Sequence, residues 1–320
     1  MKTADDVKKI AVLGAGTMGP GIAQMFAMSG REVTMWTRSE ETRKKAESAL
    51  RKSIETFVEE GLLPKEQIEA VFGRVSFKPT VAEAIDGANF VMETIVENKD
   101  AKIELFKEID AHVKEDVILA SNTSALDVFA LVPSRRLKQM VIAHWYAPAQ
   151  LIPLVEVVKS PEAPDAYADI TVKLLEESGK TAVLMKKFIR GYIVNRIQMC
   201  LNQEIFYLLD NDICTPEDID KAVKASFIPR AVVLGVCKRA DFGGLDMTAN
   251  NFKNKSYTFP PEVDIPVTLA RHIEKGELGF KTGKGFYDYT GVDKEALLAK
   301  RDKQLFEVFK LAKKFMDDPV

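Results

Sequence analysis

The stretch QMVIAHWYAPAQLIPLVEVV, residues 139–158, contains two side chains that could move a proton, His144 and Glu156. Histidine has an ordinary pKa near neutral pH, which suits it to take a proton from an alcohol or return one to a carbonyl. A carboxylate beside the ring would hold one tautomer and stabilise the charged form. Burying Glu156 alone among the apolar residues of PLVEVV would be costly, so a partner is expected. A purely structural hydrogen bond is the alternative role for His144.

The composition limits the classes of protein to consider. The length of 320 residues suggests two domains. A formal net charge of −2 argues against a general affinity for nucleic acid or acidic membranes. The three cysteines form no CxxC pair, which indicates a reduced, cytoplasmic protein without a metal site of that type. No run of 18 apolar residues occurs, so no membrane span is expected.

Short apolar runs alternate with longer amphipathic stretches through the first half of the chain. Runs rich in Val, Ile and Leu without strict alternation are typical of a parallel sheet covered on both faces. The predicted strands are 9–14, 32–36, 89–94, 116–121, 140–144, 154–158 and 181–185. The predicted helices are 17–29, 40–60, 65–72, 98–113 and 163–178. This order predicts an α/β fold with a doubly wound parallel sheet.

The pattern changes after about residue 188, where apolar residues recur at helical spacing. Thr215 stands at an N-cap position and Pro216 at the first helical position of one predicted helix. Further helices are predicted within 191–210, 264–278 and 293–315. We therefore predict an α/β domain over 1–189 and a second, mostly α-helical domain over 190–320.

A glycine-rich turn joins the first predicted strand to the first predicted helix. Gly14, Gly16 and Gly19 have GxGxxG spacing in KIAVLGAGTMGPGIAQ. In order, they would permit a tight turn, close approach of a pyrophosphate, and close packing of helix on strand. Together with Thr17 and Met18, they would offer the free N–H groups of a helix N-terminus to the phosphates. A tight turn without a ligand is the alternative, but the flanking strand and helix favour a Rossmann-like dinucleotide-binding domain.

The end of the second predicted strand bears on the choice of cofactor. An Asp or Glu here would bind the ribose 2′-hydroxyl of NAD(H). This chain has Thr37 and Arg38 instead. A hydroxyl and a guanidinium suit a 2′-phosphate better, which favours NADP(H). The alternative is that Arg38 stacks on the adenine and NAD(H) still binds.

Further motifs follow the glycine turn in a specific order. They are TIVENKDAKIELFKEID, SNTSALDV, AHWYAPAQLIPLVEVV, GYIVNRI, EDIDKA and GFKTGKGFYDY. Together with GAGTMGPGIA they run over most of the chain and resemble the 3-hydroxyacyl-CoA dehydrogenase family of fatty acid metabolism. The resemblance implies a nucleotide-binding domain, a helical domain that often forms a homodimer contact, and an active site between the two.

The resemblance also implies roles for individual residues. His144 would be the general base in alcohol oxidation, and Glu156 would hold its ring. Ser124 and Asn195 would hydrogen-bond the reacting oxygen and the catalytic groups. Positions that would line the cofactor site are Glu97, Lys102 and Lys281. From the residues alone, Ser124 could instead cap a helix over ALDVFALV. Lys102 could instead be a surface partner within its own helix.

The chain departs from the family pattern in three places. Ala147 stands where the family usually has an asparagine, so one hydrogen bond near the substrate is missing or supplied otherwise. Ala49 and Thr56 stand where a serine and a lysine contact coenzyme A in the family. The segment 226–246 lacks the usual Gly-Pro-Phe. These differences affect thioester binding more than dehydrogenase chemistry.

These observations predict an NAD(P)-dependent 3-hydroxyacyl dehydrogenase that moves hydride between the nicotinamide and C3 of its substrate. A 3-hydroxyacyl-CoA is the default substrate. One alternative is a free 3-hydroxy acid or diketo compound, and another is a non-catalytic dinucleotide-binding protein. We expect a small-molecule substrate, a homodimer, and neither a nucleic acid nor a membrane partner.

Overall fold

The protein consists of two structural units. The computed structural model describes residues 3–320, and the chain divides into unit 1, which ends at Ile193, and unit 2, which begins at Val194. The boundary predicted between 189 and 190 lies close to this division.

Unit 1 is built around one sheet of eight strands with helices between them. The strands are β1 Lys9–Leu13, β2 Glu32–Trp36, β3 Val75–Lys78, β4 Phe90–Glu93, β5 Ile118–Ser121, β6 Met140–Trp145, β7 Leu154–Lys159 and β8 Thr181–Leu184. The α-helices are α1 Gly19–Met28, α2 Glu40–Glu59, α3 Ile68–Gly73, α4 Val81–Ile85, α5 Lys99–His112 and α6 Asp165–Glu177. The order β3-β2-β1-β4-β5-β6-β7-β8 confirms the predicted α/β class. The short elements β3 and α4 were not predicted.

Apolar strands in the middle of the sheet place polar side chains at their carboxyl ends. Strand β1 is buried through Ile10–Leu13, which explains its continuous apolar sequence. At its carboxyl end, Leu13 pairs with Trp36 on one side and Glu93 on the other, and Glu93 pairs with Ser121. The loops that follow these parallel strands therefore emerge together, where open α/β sheets bind ligands.

Strands β6 and β7 pair antiparallel, whereas the other neighbouring strands of this mostly parallel sheet pair in parallel. The connection 146–153 is too short for the helical crossover that parallel neighbours require. Antiparallel pairing places His144 directly opposite Glu156. Residues opposite each other project to the same face with their Cβ atoms about 5 Å apart.

Unit 2 is helical, as predicted. Its helices are α7 Val194–Asp210, α8 Pro216–Ala222, α9 Ile228–Leu234, α10 Val236–Gly243, α11 Leu245–Lys253, α12 Val267–Glu274 and α13 Lys294–Asp317. Thr215 caps α8 by accepting a hydrogen bond from the Asp218 backbone, and Pro216 occupies the first turn. Phe306, with 7% of its surface exposed, is the one buried residue within 194–320. Many large apolar side chains of this unit therefore remain exposed.

Two kinds of feature are absent from the part of the chain that the structure describes. Within residues 3–320, no cluster of three or more His, Cys, Asp or Glu side chains could hold a metal ion. None of the helices in the same range has the length and apolar character needed to cross a bilayer.

Candidate active site

The glycine turn leaves space where a phosphate would have to approach. Gly14 has φ +127°, and a Cβ there would lie 2.7 Å from the Thr94 carbonyl oxygen. A Cβ on Gly19 would lie 2.0 Å from the Gly14 oxygen, so helix and turn touch through backbone atoms. Gly16 is exposed and has no heavy atom within 4 Å of its Cβ position. No side chain caps α1, which leaves its first N–H groups available to an anion. These features fit a dinucleotide pyrophosphate.

The residues after β2 are less favourable to a 2′-phosphate than the sequence suggested. Thr37 is buried, with 4% of its surface exposed. The Arg38 guanidinium lies 5.5 Å from the centre of the Trp36 ring. Arg38 is therefore placed against the ring of Trp36, and its contact with the adenine of a bound cofactor remains a prediction.

A buried ion pair supports the loops after β4 and β5. The Lys102 ammonium lies 2.7 and 2.8 Å from the two carboxylate oxygens of Glu93, and both residues are fully buried. The Ser121 hydroxyl donates to the same carboxylate at 2.5 Å. Lys102 also lies 3.5 Å from Glu97. The alternative of a surface role for Lys102 is therefore wrong, because α5 turns this residue toward the sheet. Its predicted role at the cofactor remains a prediction.

Glu97 holds the loop that contains Ser124. One oxygen of Glu97 accepts the Thr123 hydroxyl at 2.7 Å and the backbone N–H groups of Ser124, Ala125 and Leu126 at 2.9, 2.9 and 3.2 Å. Burial alone would raise the pKa of Glu97, but these hydrogen bonds lower it below the usual value. The carboxylate therefore stays ionised and fixes the loop.

Ser124 itself has an exposed side chain at the tip of that loop. No α-helix begins there, so the capping alternative is wrong, and a short 3₁₀ turn over Val128–Ala130 follows instead. The backbone N–H of Trp145 donates to the Asn122 side chain at 2.7 Å. This bond joins the loop after β5 to the end of β6, next to His144.

The two side chains that could form an acid/base pair lie together at the carboxyl end of β6. His144 Nδ1 is 3.1 Å from Glu156 Oε2, and the two side chains are 3% and 1% exposed. The Tyr146 hydroxyl donates to the same oxygen at 2.7 Å. The Ile193 backbone N–H donates to Glu156 Oε1 at 2.9 Å. Glu156 is thus a buried carboxylate with several donors.

The Tyr192 ring covers the imidazole. Its centre lies 4.7 Å from that of His144, and its hydroxyl donates to the Thr123 carbonyl at 2.7 Å. Tyr192 has φ 49°, which is uncommon for a residue with a side chain. Burial, with the charges of Glu97, Glu156 and Asp127, raises the pKa of its phenol. Tyr192 therefore links the imidazole to the Ser124 loop as a neutral hydrogen-bond donor.

Lys180 supports the segment between β6 and β7. Its ammonium donates to the carbonyl oxygens of Ala149, Gln150 and Ile152 at 2.6, 3.3 and 3.0 Å. Burial lowers the pKa of Lys180 to about 7. This segment also touches α1, because a Cβ on Gly21 would lie 2.4 Å from the Gln150 side chain.

Two predicted site residues belong to unit 2. Asn195 is the second residue of α7 and is partly exposed. Lys281 is exposed in the loop between α12 and α13, where its carbonyl accepts a hydrogen bond from Lys294. Their proposed roles remain predictions from the family resemblance.

Sequence reasoning missed some members of this site. Glu93 carried a usable signal, a charged residue within the apolar strand NFVMET, which is the same signal that identified Glu156. Tyr146 and Lys180 carried none. The contacts of both depend on the antiparallel β6–β7 pair and its connection.

Comparison with known proteins identifies the family. Residues 9–188 match the NAD binding domain of 3-hydroxyacyl-CoA dehydrogenase, and residues 191–289 match the C-terminal domain. The chain is 33% identical to a probable 3-hydroxybutyryl-CoA dehydrogenase of Bacillus subtilis, over 89% of this chain and 98% of that protein.

Two crystal structures extend this comparison. One is 5-formyl-3-hydroxy-2-methylpyridine 4-carboxylic acid 5-dehydrogenase, described as an NAD⁺-dependent dismutase, with a TM-score of 0.86 at 27% identity over 96% of this chain and 99% of that chain. The other is (S)-3-hydroxybutyryl-CoA dehydrogenase of Ralstonia eutropha, with a TM-score of 0.73 at 27% identity over 89% and 99%. The matched NAD binding domain supports a nicotinamide dinucleotide as the cofactor, and the chain belongs to the 3-hydroxyacyl-CoA dehydrogenase family.

Proposed function

We propose that this protein is an NAD(H)-dependent dehydrogenase in which His144 transfers the proton. Glu156 orients the imidazole ring and stabilises its protonated form. The observation that carries this proposal is the 3.1 Å contact between the two buried side chains at the carboxyl end of β6. A nicotinamide dinucleotide held at the turn of Gly14, Gly16 and Gly19 would supply the hydride chemistry, as the acceptor during alcohol oxidation and as the donor during carbonyl reduction. Because Nδ1–H donates to Glu156, Nε2 is left to accept the proton of the alcohol as the C=O bond forms.

The carboxylate stabilises the imidazolium that this step produces. In the reverse direction the same Nε2–H returns the proton to the carbonyl oxygen. Ser124 and Asn195 are proposed to hydrogen-bond the reacting oxygen, as the family resemblance implies. Replacing His144 by Gln tests the proposal. We expect turnover to fall by about 10²–10⁴-fold, with NADH affinity, measured by fluorescence titration, close to that of the wild type. Turnover near the wild-type rate would refute it.

NAD(H) rather than NADP(H) is the proposed cofactor. The earlier preference for NADP(H) finds no support, because Thr37 is buried and Arg38 lies against Trp36. The matched domain is an NAD binding domain. We expect kcat/KM to be higher with NADH than with NADPH at equal substrate. A clear preference for NADPH would contradict this proposal.

The proposed substrate is a free carboxylic acid that carries a hydroxyl, ketone or aldehyde group. At the same 27% identity, the chain is structurally more similar to the pyridine carboxylic acid dehydrogenase than to the coenzyme A enzyme. By the family resemblance, Ala49 and Thr56 of α2 stand where the family has a serine and a lysine that contact coenzyme A. Three of the cations of α2 are paired with carboxylates: Arg43 with Glu40 and Glu47, Lys45 with Glu41, and Arg51 with Glu69. Such a surface suits a 3′-phosphate poorly.

A 3-hydroxyacyl-CoA is the second candidate, favoured by the similarity to the Bacillus subtilis protein. Turnover of acetoacetyl-CoA should be compared with that of acetoacetate and of 5-formyl-3-hydroxy-2-methylpyridine 4-carboxylate, using NADH oxidation and NAD⁺ reduction. We expect a free acid to be turned over with the higher kcat/KM. A higher kcat/KM for the thioester would transfer the assignment to the second candidate.

We also propose that the protein is a homodimer that uses unit 2. Large apolar side chains of this unit are exposed, among them Phe252 at 67%, Tyr257 at 74% and Phe259 at 72%. Phe252 and Phe259 stack with ring centres 6.3 Å apart beside a cavity of about 510 Å³. Exposed apolar patches of this kind mark interaction sites. Light scattering after size exclusion should give twice the chain mass, and a monomer would refute the proposal.

A further inference from the structure

Tyr146 shares an acceptor with the imidazole. Its hydroxyl donates to Glu156 Oε2 at 2.7 Å, the oxygen that lies 3.1 Å from His144 Nδ1. The Tyr146 ring also contacts the imidazole edge-to-face, with ring centres 4.6 Å apart. Tyr146 immediately precedes Ala147, the position at which the chain lacks the family asparagine. The short segment after β6 therefore supplies a second hydrogen-bonding partner, besides His144, to Glu156 Oε2.

Tyr192 provides an internal comparison. Its ring centre lies 4.7 Å from the imidazole, almost the same distance as that of Tyr146. Its hydroxyl donates to the Thr123 backbone carbonyl rather than to Glu156. The two tyrosines thus flank one imidazole, but only Tyr146 withdraws charge from the Glu156 carboxylate by a described hydrogen bond.

The other groups that influence the ring come from separate elements. Glu156 faces it from β7. Tyr192 faces it from the segment after β8, with Glu97 and Asp127 close enough to act on the Tyr192 phenol. The Lys180 ammonium lies 5.2 Å from the centre of the Trp145 ring, the residue that follows His144. Replacing Tyr146 by Phe leaves all of these groups in place and removes only one hydroxyl.

We propose that Tyr146 is a positioning residue that weakens the attraction of Glu156 for the His144 imidazolium and so keeps His144 available as a base. This inference rests on the proposed acid/base function. A hydrogen bond to an ionised carboxylate disperses its charge, and a less concentrated charge stabilises the neighbouring imidazolium less. Without the hydroxyl, the imidazolium is more stable and the ring stays protonated to higher pH.

The first test observes the imidazole without requiring a substrate. The chain has three histidines, His112, His144 and His272, so Cε1-labelled histidine gives three resonances, and H144Q assigns one of them. We expect the titration midpoint of the His144 resonance to rise by about 0.5–1 pH unit in Y146F, because only part of the effect of a hydrogen bond on the carboxylate is transmitted to the imidazole. Y192F should leave the midpoint close to that of the wild type. An unchanged midpoint in Y146F would overturn the inference.

The second test uses pH profiles with whichever of acetoacetate or acetoacetyl-CoA is turned over. In Y146F, the acidic limb for alcohol oxidation and the basic limb for carbonyl reduction should both move to higher pH by the same amount, because one ionisation controls both. Loss of packing alone would lower kcat without moving either limb. In an E156Q background, Y146F should move neither limb. A shift that persists in that background would overturn the proposed route through Glu156.

The two proposals fail separately. Wild-type turnover in H144Q would refute the acid/base function. An inactive H144Q combined with unshifted titration and pH profiles in Y146F would refute only the role of Tyr146.

Discussion

Replacing Glu156 by Gln removes one charge from a buried pair and changes little else. His144 Nδ1 and Glu156 Oε2 are 3.1 Å apart, and the side chains are 3% and 1% exposed. At an effective dielectric constant of about 20, a full charge pair at this distance attracts by about 5 kcal/mol. Desolvation offsets part of this attraction, which leaves about 2–4 kcal/mol to stabilise the imidazolium formed during oxidation. Since each 1.36 kcal/mol is a factor of ten, kcat should fall by about 30–900-fold.

The assay measures kcat for NAD⁺ reduction at saturating alcohol, alongside NAD(H) affinity and far-ultraviolet circular dichroism. The cofactor affinity and the spectrum should stay close to those of the wild type. The glycine turn follows β1, which is not adjacent to β6 or β7 in the sheet. E162Q is the matched control, since Glu162 is an exposed carboxylate just after β7. Its kcat should equal that of the wild type.

One result would refute this reasoning directly. If folded E156Q kept kcat within about threefold of the wild type, the carboxylate would contribute under about 0.7 kcal/mol to the transition state. The imidazolium would then not be the species that Glu156 stabilises, and the assignment of His144 as the base would lose its physical support.

Three further predictions follow from the geometry of unit 1. Lys102→Met should lower the free energy of unfolding in urea by about 3–5 kcal/mol, because it leaves a buried carboxylate unpaired. Lys107→Met breaks an exposed ion pair and should lower it by about 1 kcal/mol or less. Equal losses in the two variants would contradict the assignment of Lys102 to a buried ion pair. Gly14→Ala should lower the melting temperature, because Gly14 has φ +127° and the added Cβ would meet backbone atoms. Gly16→Ala should leave the melting temperature unchanged and weaken NAD⁺ binding, measured by titration. Burial lowers the pKa of Lys180 to about 7, below the value of about 10.5 in an unfolded chain. The buried charge of Lys180 therefore destabilises the folded state fully below pH 7, and this destabilisation decreases as the pH rises from 7 to about 10. The free energy of unfolding of the wild type relative to Lys180→Met, measured in urea, should therefore increase between about pH 7 and pH 10, and a constant difference would show that Lys180 titrates normally.

Local patterns were sufficient for much of the fold. The glycine turn lies between β1 and α1, and the other predicted apolar runs form strands with ends shifted by a few residues at most. Thr215 and Pro216 start α8 as predicted, because capping depends on residues within one helical turn. The strand β3 was missed because VSFK is short and lies next to polar residues, so its sequence has no strong apolar period.

Sequence by itself determined which residues could do chemistry: a histidine and a glutamate in apolar segments, and glycines spaced for a phosphate. Tertiary structure alone decided how they meet. The antiparallel register of β6 and β7 sets His144 opposite Glu156 and brings the Tyr146 hydroxyl to the same oxygen. The packing of α5 against the sheet likewise turns Lys102 inward onto Glu93. The physical reason is that helix and strand periods are local properties of the chain, whereas strand register and the pairing of buried charges depend on segments distant in sequence.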